Sequence, residues 1–284
     1  MTDWKLMKQI LLATTLALPL IVSSPFARCQ TAVEAWAQRY HEADAFENVP
    51  RAIAVDSNGN AIATGFSRDT NGFKHWVTIA YSSSGAALWT NRYHGPGDFY
   101  DDQPNAVAVD AEGNAFVAGV SFGTAGDQDY VVIKYSCAGV ASWTRRYNGP
   151  GNGNNGATAV AVDGSGNVIV TGLSNGINGV SSFFDYATIK YSNAGMPLWT
   201  NHCNAGYTDN ARAVVVDSGG NVIVTGQSYR DFQTSDIVTV AYSNGGVPLW
   251  TNRYDGPANG DDVPLTNRDG EIPQARRHAR YCGG

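Results

Sequence analysis

Signatures of catalysis and metal binding are missing from this sequence. It contains no Gly-x-Ser-x-Gly turn, no phosphate-binding glycine loop, no zinc-ligand spacing and no convincing pair of catalytic acids. The four cysteines include no Cys-x-x-Cys pair and follow no regular spacing, so the sequence predicts neither a disulfide framework nor a metal site. These absences argue against an enzyme and predict no cofactor.

Long apolar runs are also scarce, and the clearest one lies near the start of the chain. Residues 10–22 are mainly apolar, follow Lys5 and Lys8, and precede small polar residues, which is the order of a secretory signal peptide. No later stretch approaches the roughly 20 apolar residues of a membrane span. We therefore predict a signal peptide over residues 1–30, a secreted, periplasmic or cell-envelope location, and no membrane span after cleavage. An uncleaved anchor is the alternative.

Positive charge is in short supply as well. Residues 1–30 hold three basic residues and one acidic residue, so their removal changes the formal net charge from −6 to −8. Nucleic acids and anionic membrane surfaces bind clustered Lys and Arg side chains. The acidic balance of the mature chain therefore predicts neither of them as a partner.

What the sequence does contain is an internal repeat. Val-Asp pairs recur at intervals of 54, 53 and 54 residues, and tryptophans recur at intervals of 53, 54, 56 and 51 residues. The segments between them are short, rich in β-branched and aromatic residues, and bounded by Gly, Asn, Asp or Pro, so each unit predicts four β-strands. The aspartates are Asp56, Asp110, Asp163 and Asp217, and the tryptophans are Trp36, Trp89, Trp143, Trp199 and Trp250.

A short turn such as DGSGN joins the first two predicted strands of each unit. Its glycine stands where a tight hairpin needs a positive φ, and its aspartate can accept backbone N–H groups of the turn. One carboxylate in so short a loop is too little for calcium, so the pattern indicates a structural turn. The glycines are Gly59, Gly113, Gly166 and Gly220.

Four-stranded units of this length are typical of a β-propeller, because one unit alone cannot bury both of its faces. We predict an all-β fold with propeller repeats over residues 35–263. The small residues of AVAVD suit an innermost strand, and the bulky LWTNRY suits an outermost one. Four full blades are predicted at about 52–94, 106–148, 158–203 and 212–254.

The repeat also carries a family resemblance. The segments AVAVDGSGNVIVTG and DYATIKYSNAGMPLWT, together with RYNGPGNGNN, resemble the SBBP-type β-propeller repeat of bacterial secreted and envelope-associated proteins. The resemblance implies a propeller, usually without an assigned catalytic activity. It carries over no catalytic residues.

Both ends of the repeat region depart from the pattern. An additional outer strand is predicted at 35–40, before four complete units, so it has no vacant place in a four-bladed ring. After Pro264 the repeat stops, and we predict a disordered basic tail over 264–284; a basic binding tail or a truncated or frame-shifted piece of a larger propeller are the alternatives. The propeller is thus predicted to be incomplete, either an open arc or a strained ring, with an edge that a second copy could cover.

The polar loops offer the candidate binding residues. An Asx residue stands eight positions before each repeated aspartate, which predicts a turn that caps the incoming strand. Two loops carry additional acids that could bind calcium or cationic groups. These acids are Asp98, Asp101, Asp102, Asp261 and Asp262.

Two classes of function follow from this pattern. We favour an exported, non-catalytic scaffold that presents its loops to a protein or a glycan, because nearly uniform repeats do not supply the unlike residues that catalysis needs. The alternative is a propeller lyase or glycosidase with acidic residues at the channel mouth. Neighbouring His202 and Cys203 do not form a catalytic pair, because adjacent strand residues point to opposite faces.

Overall fold

The computed structural model describes residues 35–41, 45–97, 101–175, 183–231, 234–256 and 262. Within them the chain forms sixteen β-strands, arranged as four antiparallel four-stranded sheets. The strands of each sheet pair in chain order, and the first strands β1, β5, β9 and β13 contact one another in succession. The predicted all-β propeller fold is thereby confirmed, and each sheet is one blade.

The four blades have closely similar strand lengths. Blade 1 comprises β1 (Glu47–Val55), β2 (Ala61–Arg68), β3 (Lys74–Tyr81) and β4 (Ala87–Tyr93). Blade 2 comprises β5 (Gln103–Val109), β6 (Ala115–Phe122), β7 (Gln128–Tyr135) and β8 (Ala141–Tyr147). Blade 3 comprises β9 (Asn155–Val162), β10 (Val168–Asn175), β11 (Phe184–Tyr191) and β12 (Pro197–Cys203). Blade 4 comprises β13 (Thr208–Val216), β14 (Val222–Tyr229), β15 (Ser235–Tyr242) and β16 (Pro248–Tyr254).

The turns between first and second strands have the predicted chemistry. In blade 3, Gly166 has a φ of 74°, and Asp163 Oδ1 accepts the backbone N–H groups of Ser165 and Asn167 at 2.9 Å each. Asn167 also donates from its side chain to Asp163 Oδ2. The other blades repeat this geometry at Asp56 and Gly59, at Asp110 and Gly113, and at Asp217 and Gly220.

The first strand of each blade begins earlier than the sequence indicated. In β5 the pairing with β6 shifts register between Pro104 and Ala106, so Asn105 is a β-bulge. The extra residue breaks the alternation of side chains, and this is why the sequence pattern was recognisable only from about residue 106. In the other blades the corresponding shifts between the first and second strands lie at Pro50/Ala52, Thr171/Gly172 and Ala211/Ala213.

Neighbouring blades interlock through an aromatic side chain on the third strand, which we call the aromatic plug. Tyr130 of blade 2 is 1% exposed, and its hydroxyl donates to the carbonyl oxygen of Ala187 in blade 3 at 3.2 Å, beside Gly172. Burial of such a ring supplies a large share of the contact between two blades. The corresponding residues are Trp76 in blade 1, Tyr186 in blade 3 and Ile237 in blade 4.

A tryptophan on the outer strand makes a second link from each blade to the next. The indole N–H of Trp89 donates to the carbonyl oxygen of Cys137 at 3.1 Å, and the ring covers Gly139, whose φ is 81°. The tryptophan thus closes over the turn between the third and fourth strands of the following blade. The same bonds join Trp143 to Asn193, Trp199 to Asn244 and Trp36 to Ser83.

The segment at 35–40 was predicted to be a strand, and this was wrong, because residues 35–41 carry no strand assignment. A strand needs a backbone partner, and the described chain offers this segment no third strand of its own blade. Its tryptophan is nevertheless in the repeat position, since Trp36 covers Gly85 of blade 1 and lies 5.8 Å from the ring of Tyr81. Blade 1 therefore has a tryptophan in the position of a preceding outer strand, although the described residues form no blade before it.

Trp89 and Trp250 occupy the same position in the repeat, but only Trp89 packs on a following blade. Replacing each with alanine therefore tests whether this packing stabilises the fold. Trp250 is 41% exposed, whereas Trp89 is packed on the next blade. We expect Trp89→Ala to lower the free energy of unfolding by about 2 kcal/mol and Trp250→Ala by less than about 1 kcal/mol, because only the first leaves a cavity and an unpaired carbonyl. Urea unfolding followed by circular dichroism measures both. Equal losses would contradict the interlocking role of this tryptophan.

Among the described residues, no helix is long and apolar enough to cross a membrane.

Candidate functional site

The predicted acidic loop of blade 1 is engaged in local contacts. Asp102 is buried, and its two carboxylate oxygens accept the backbone N–H groups of Gly95 at 2.7 Å and Phe122 at 3.1 Å. Asp101 lies 2.7 Å from the ammonium group of Lys74. The two backbone bonds join Asp102 to the preceding loop and to the end of β6 rather than to the incoming strand β5, so the predicted Asx turn is wrong for this residue, whose i+2 neighbour Pro104 has no N–H to donate. Asp98 lies outside the described residues.

The second predicted acidic loop meets a similar environment. Asp262 Oδ2 accepts the backbone N–H of Gly256 at 2.5 Å, and its own N–H donates to the carbonyl oxygen of Ser235 at 2.7 Å. The backbone N–H of Asp102 likewise donates to the carbonyl oxygen of Lys74, at the start of the third strand of blade 1. The backbone at Asp262 therefore follows blade 4 in the same way as the backbone at Asp102 follows blade 1. Asp261 lies outside the described residues. Calcium binding at these loops stays a prediction.

A different surface stands out on blade 1, on the side where a preceding blade would pack. Ile53 and Val55 on β1 are 68% and 63% exposed. The corresponding valines of blade 2, Val107 and Val109, pack into the hydrophobic cluster that joins blades 1 and 2. An apolar pair that is covered in the other blades is therefore open to solvent in blade 1. We call this surface the open face.

The open face contains a cavity of about 250 Å³. Gly65 and Val77 are in its lining, and their counterparts in blade 3, Gly172 and Ala187, lie against the hydroxyl of the aromatic plug Tyr130. The cavity is thus the socket for a plug that no described residue fills. Gln38 and Tyr40 of the N-terminal segment line its edge.

A polar group in the same lining also lacks its partner. Asn48 Oδ1 is buried and has no hydrogen-bond partner among the described residues. A buried unpaired oxygen costs roughly 1–3 kcal/mol. The sequence predicted an uncovered edge but not the residues that form it, because Ile53, Val55 and Asn48 look like ordinary repeat residues. The signal in the sequence was the unmatched tryptophan Trp36.

A charged pair joins the third and fourth strands in blade 2 and again in blade 4. Arg146 Nη2 lies 2.7 Å from Asp129 Oδ2, and Arg253 Nη1 lies 2.5 Å from Asp236 Oδ2. Blade 3 has His202 at the arginine position and the buried Asp185 at the aspartate position. Burial and the nearby Asp209 carboxylate raise the pKa of Asp185 to about 6. Blade 3 therefore holds an acid without the cation that its neighbours have.

The cysteines correct one expectation from the sequence. Cys203 is fully buried and disulfide-bonded, although irregular spacing predicted no disulfide framework. Spacing failed here because a disulfide requires proximity in the fold rather than a sequence pattern. Cys137 is exposed and free.

Comparisons with known proteins identify no family. No family model matches the chain, and no curated protein matches it. Solved structures with a similar fold include a protein of unknown function from Bacteroides caccae, at 9% identity and a TM-score of 0.41 over 75% of this chain and 83% of that one. A Dyadobacter fermentans protein of unknown function has 10% identity and a TM-score of 0.45 over 74% and 68% of the two chains. A gluconolactonase from Xanthomonas campestris has 13% identity and a TM-score of 0.41 over 70% and 60%.

Proposed function

We propose that the chain is an exported, non-catalytic propeller that serves as a protein-interaction scaffold, with the open face of blade 1 as its docking surface. The observation that carries this proposal is the exposed apolar strand β1 beside a socket of about 250 Å³. Covering Ile53 and Val55 would contribute roughly 1.5–3 kcal/mol for each side chain that becomes fully buried. The disulfide at Cys203 supports export, since disulfides persist in oxidising compartments.

The partner has a defined chemistry. Trp36 already occupies the position on blade 1 that the outer-strand tryptophan of a preceding blade would take. A partner blade with its own tryptophan on the fourth strand would therefore collide with Trp36. The partner must therefore supply three β-strands, with an aromatic residue on the third, and leave the outer position to the N-terminal segment. Such a partner would also cover the apolar residues of β1. Blade 4 of a second copy fits poorly, because it carries both Ile237 at the plug position and its own Trp250.

A labelled polypeptide that copies residues 103–135, the first three strands of blade 2, is the probe for this docking. We expect the full chain to bind it in a fluorescence anisotropy titration and Val55→Lys to weaken binding at least about tenfold, because the lysine would bring an unpaired charge into an apolar contact. Val247→Lys is the matched control, since Val247 is 62% exposed and lies away from the open face. Replacing Tyr130 with alanine in the probe should weaken binding as well.

Two results would overturn the proposal. One is equal binding of the probe by Val55→Lys and Val247→Lys, which would place the contact elsewhere. The other is equal binding of the probe with and without its aromatic plug.

A further inference from the structure

We propose that blade 1 contains a binding site for a divalent transition metal of the Zn²⁺ class, formed by His75 Nδ1, His94 Nδ1 and Asp102 Oδ2. The two ring nitrogens lie 3.0 Å apart, and His94 Nδ1 lies 3.6 Å from Asp102 Oδ2. All three ligand atoms lie within 4.8 Å of one another. This site is separate from the docking surface on β1 and does not depend on it.

The distances suit tetrahedral coordination. Zn–N and Zn–O bonds of about 2.0–2.2 Å place neighbouring ligand atoms of a tetrahedron roughly 3.3–3.5 Å apart. The observed separations of 3.0 and 3.6 Å bracket that value, so small side-chain rotations would suffice to admit an ion. Three protein ligands would leave a fourth position for water.

The surrounding contacts orient the ligands. Asp69 Oδ2 lies 3.1 Å from His75 Nε2. Because a carboxylate only accepts, this contact places a proton on Nε2 and leaves Nδ1 of His75 with a free lone pair. A carboxylate behind a ligating imidazole is the usual arrangement of metal-bound histidine.

Asp102 and His94 are held in place from the other side. Both oxygens of Asp102 accept backbone N–H groups, which fixes the carboxylate and leaves Oδ2 a second lone pair toward His94. Gly95 follows His94 and has no room for a side chain, since a Cβ there would lie 2.0 Å from Ser121 Oγ. The imidazole of His94 is therefore attached to a closely packed backbone.

The repeat shows why, among the described residues, two histidines and an aspartate come together in blade 1. The equivalent positions bring three side chains together in blade 4 too, as Asp236, Asp255 and Asp262. There Arg230 Nε lies 2.6 Å from Asp236 Oδ2, and the same guanidinium contacts Asp255, so arginine neutralises the acids. Blade 1 has two imidazoles in place of two of these carboxylates. The fold supplies the three-residue geometry, and two histidines convert it into a site for a borderline-soft metal.

Equilibrium dialysis of the full chain against ZnCl₂ tests the site, together with Co²⁺ binding followed by visible absorption. We expect one tightly bound Zn²⁺ per chain and the intense visible bands of tetrahedral Co²⁺. His94→Ala should lower the affinity at least about 100-fold and abolish the bands, since loss of a ligand exceeds the roughly 10–100-fold loss from a supporting residue. Asp69→Asn should lower the affinity about 10–100-fold.

Asn148→Ala is the matched control, because Asn148 occupies the position of His94 in blade 2 and should leave metal binding unchanged. The side chain of His94 is 38% exposed, so its removal should leave the fold intact, which circular dichroism verifies. Absence of stoichiometric Zn²⁺ binding by the unaltered chain would overturn the proposal. So would equal affinities of the folded His94→Ala and Asn148→Ala variants, which would place the ion elsewhere.

Discussion

Gly172→Ala is expected to lower the free energy of unfolding by about 3 kcal/mol, the upper end of the usual cost of overpacking. A Cβ at this position would lie 2.0 Å from the carbonyl oxygen of Gly156 and 2.9 Å from the hydroxyl of the aromatic plug Tyr130. The carbonyl belongs to the bulged first strand of the same blade and the hydroxyl to the neighbouring blade. One methyl group therefore disturbs the contact within a blade and the contact between blades at the same point.

The control for this change is Gly164→Ala in the same blade. A Cβ on Gly164 would meet no atom within 4 Å, and the residue lies in the first turn of blade 3. We expect this substitution to be neutral or to stabilise the fold by about 0.4–1 kcal/mol, because alanine restricts the unfolded chain. Urea denaturation of both variants, followed by tryptophan fluorescence, gives the comparison. A loss below about 1 kcal/mol for Gly172→Ala would show that the bulged strand can move away.

Gly65→Ala distinguishes the cost of the contact with the bulged first strand from the cost of the contact with the aromatic plug. In blade 1 the Cβ would lie 2.1 Å from the carbonyl oxygen of Val49, but no described aromatic plug enters the socket. If the bulge accounts for most of the cost, Gly65→Ala should be nearly as destabilising as Gly172→Ala. If the plug dominates, Gly65→Ala should cost much less.

The regular part of this fold could be predicted from sequence because its chemistry is local. Asp163 and Gly166 lie three residues apart and together form one turn, so the sequence shows the aspartate, the glycine and the strand that follows. The same turn occurs in every blade, so four copies of one pattern support the same prediction. The four strands of each blade, their order and the turns between the first and second strands followed from this pattern.

The irregular parts depend on contacts between distant residues. The bulge at Asn105 could not be predicted, because it is a mismatch between two strands rather than a property of one. His75 comes from β3, and His94 and Asp102 come from the two ends of the loop between β4 and β5. Their spacing of 19 and 8 residues matches no metal-binding motif. The exposure of Val55 likewise depends on a missing neighbour, and its sequence resembles that of the buried inner strands.

Asp185→Asn is expected to stabilise the protein at pH 7 by about 2–3 kcal/mol. Burial, and then the charge of Asp209, raise the pKa of Asp185 to about 6, and the side chain is nearly inaccessible. An aspartate carboxyl ordinarily has a pKa of about 3.9, and the difference corresponds to about 3 kcal/mol, since one pKa unit is about 1.4 kcal/mol. The amide has a similar shape and carries no charge that must be buried.

The sign of the pH dependence follows from the direction of the shift. The folded state binds the Asp185 proton more tightly than the unfolded state, so this group favours folding below about pH 4. Its contribution declines as the pH rises from about 4 to about 6 and stays constant above that range. The stability advantage of Asp185→Asn over the unaltered chain should therefore be small near pH 4 and reach its full size by pH 7. Thermal unfolding at half-unit pH steps measures this difference.

Asp217→Asn is the control, because the pKa of Asp217 is lowered whereas that of Asp185 is raised. Hydrogen bonds from Asn221 and neighbouring backbone N–H groups lower the pKa of Asp217, so its ionised form favours folding above the unfolded pKa and loses that effect in acid. Relative to the unaltered chain, Asp217→Asn should be less stable at pH 7, and the deficit should shrink as the pH falls. A parallel response of Asp185→Asn and Asp217→Asn would contradict the assignment of a raised pKa to Asp185.

His202→Arg tests the physical cause of the raised pKa. Burial lowers the pKa of His202, so it is neutral at pH 7 and cannot replace the arginine that accompanies Asp129 or Asp236. A guanidinium at this position should approach Asp185, lower its pKa and remove most of the decline in stability between pH 4 and pH 6. The double variant with Asp185→Asn should lose the benefit of the arginine, because the two changes act on the same charge. Additive effects of the two substitutions would show that the missing cation is not the reason that Asp185 titrates near neutral pH.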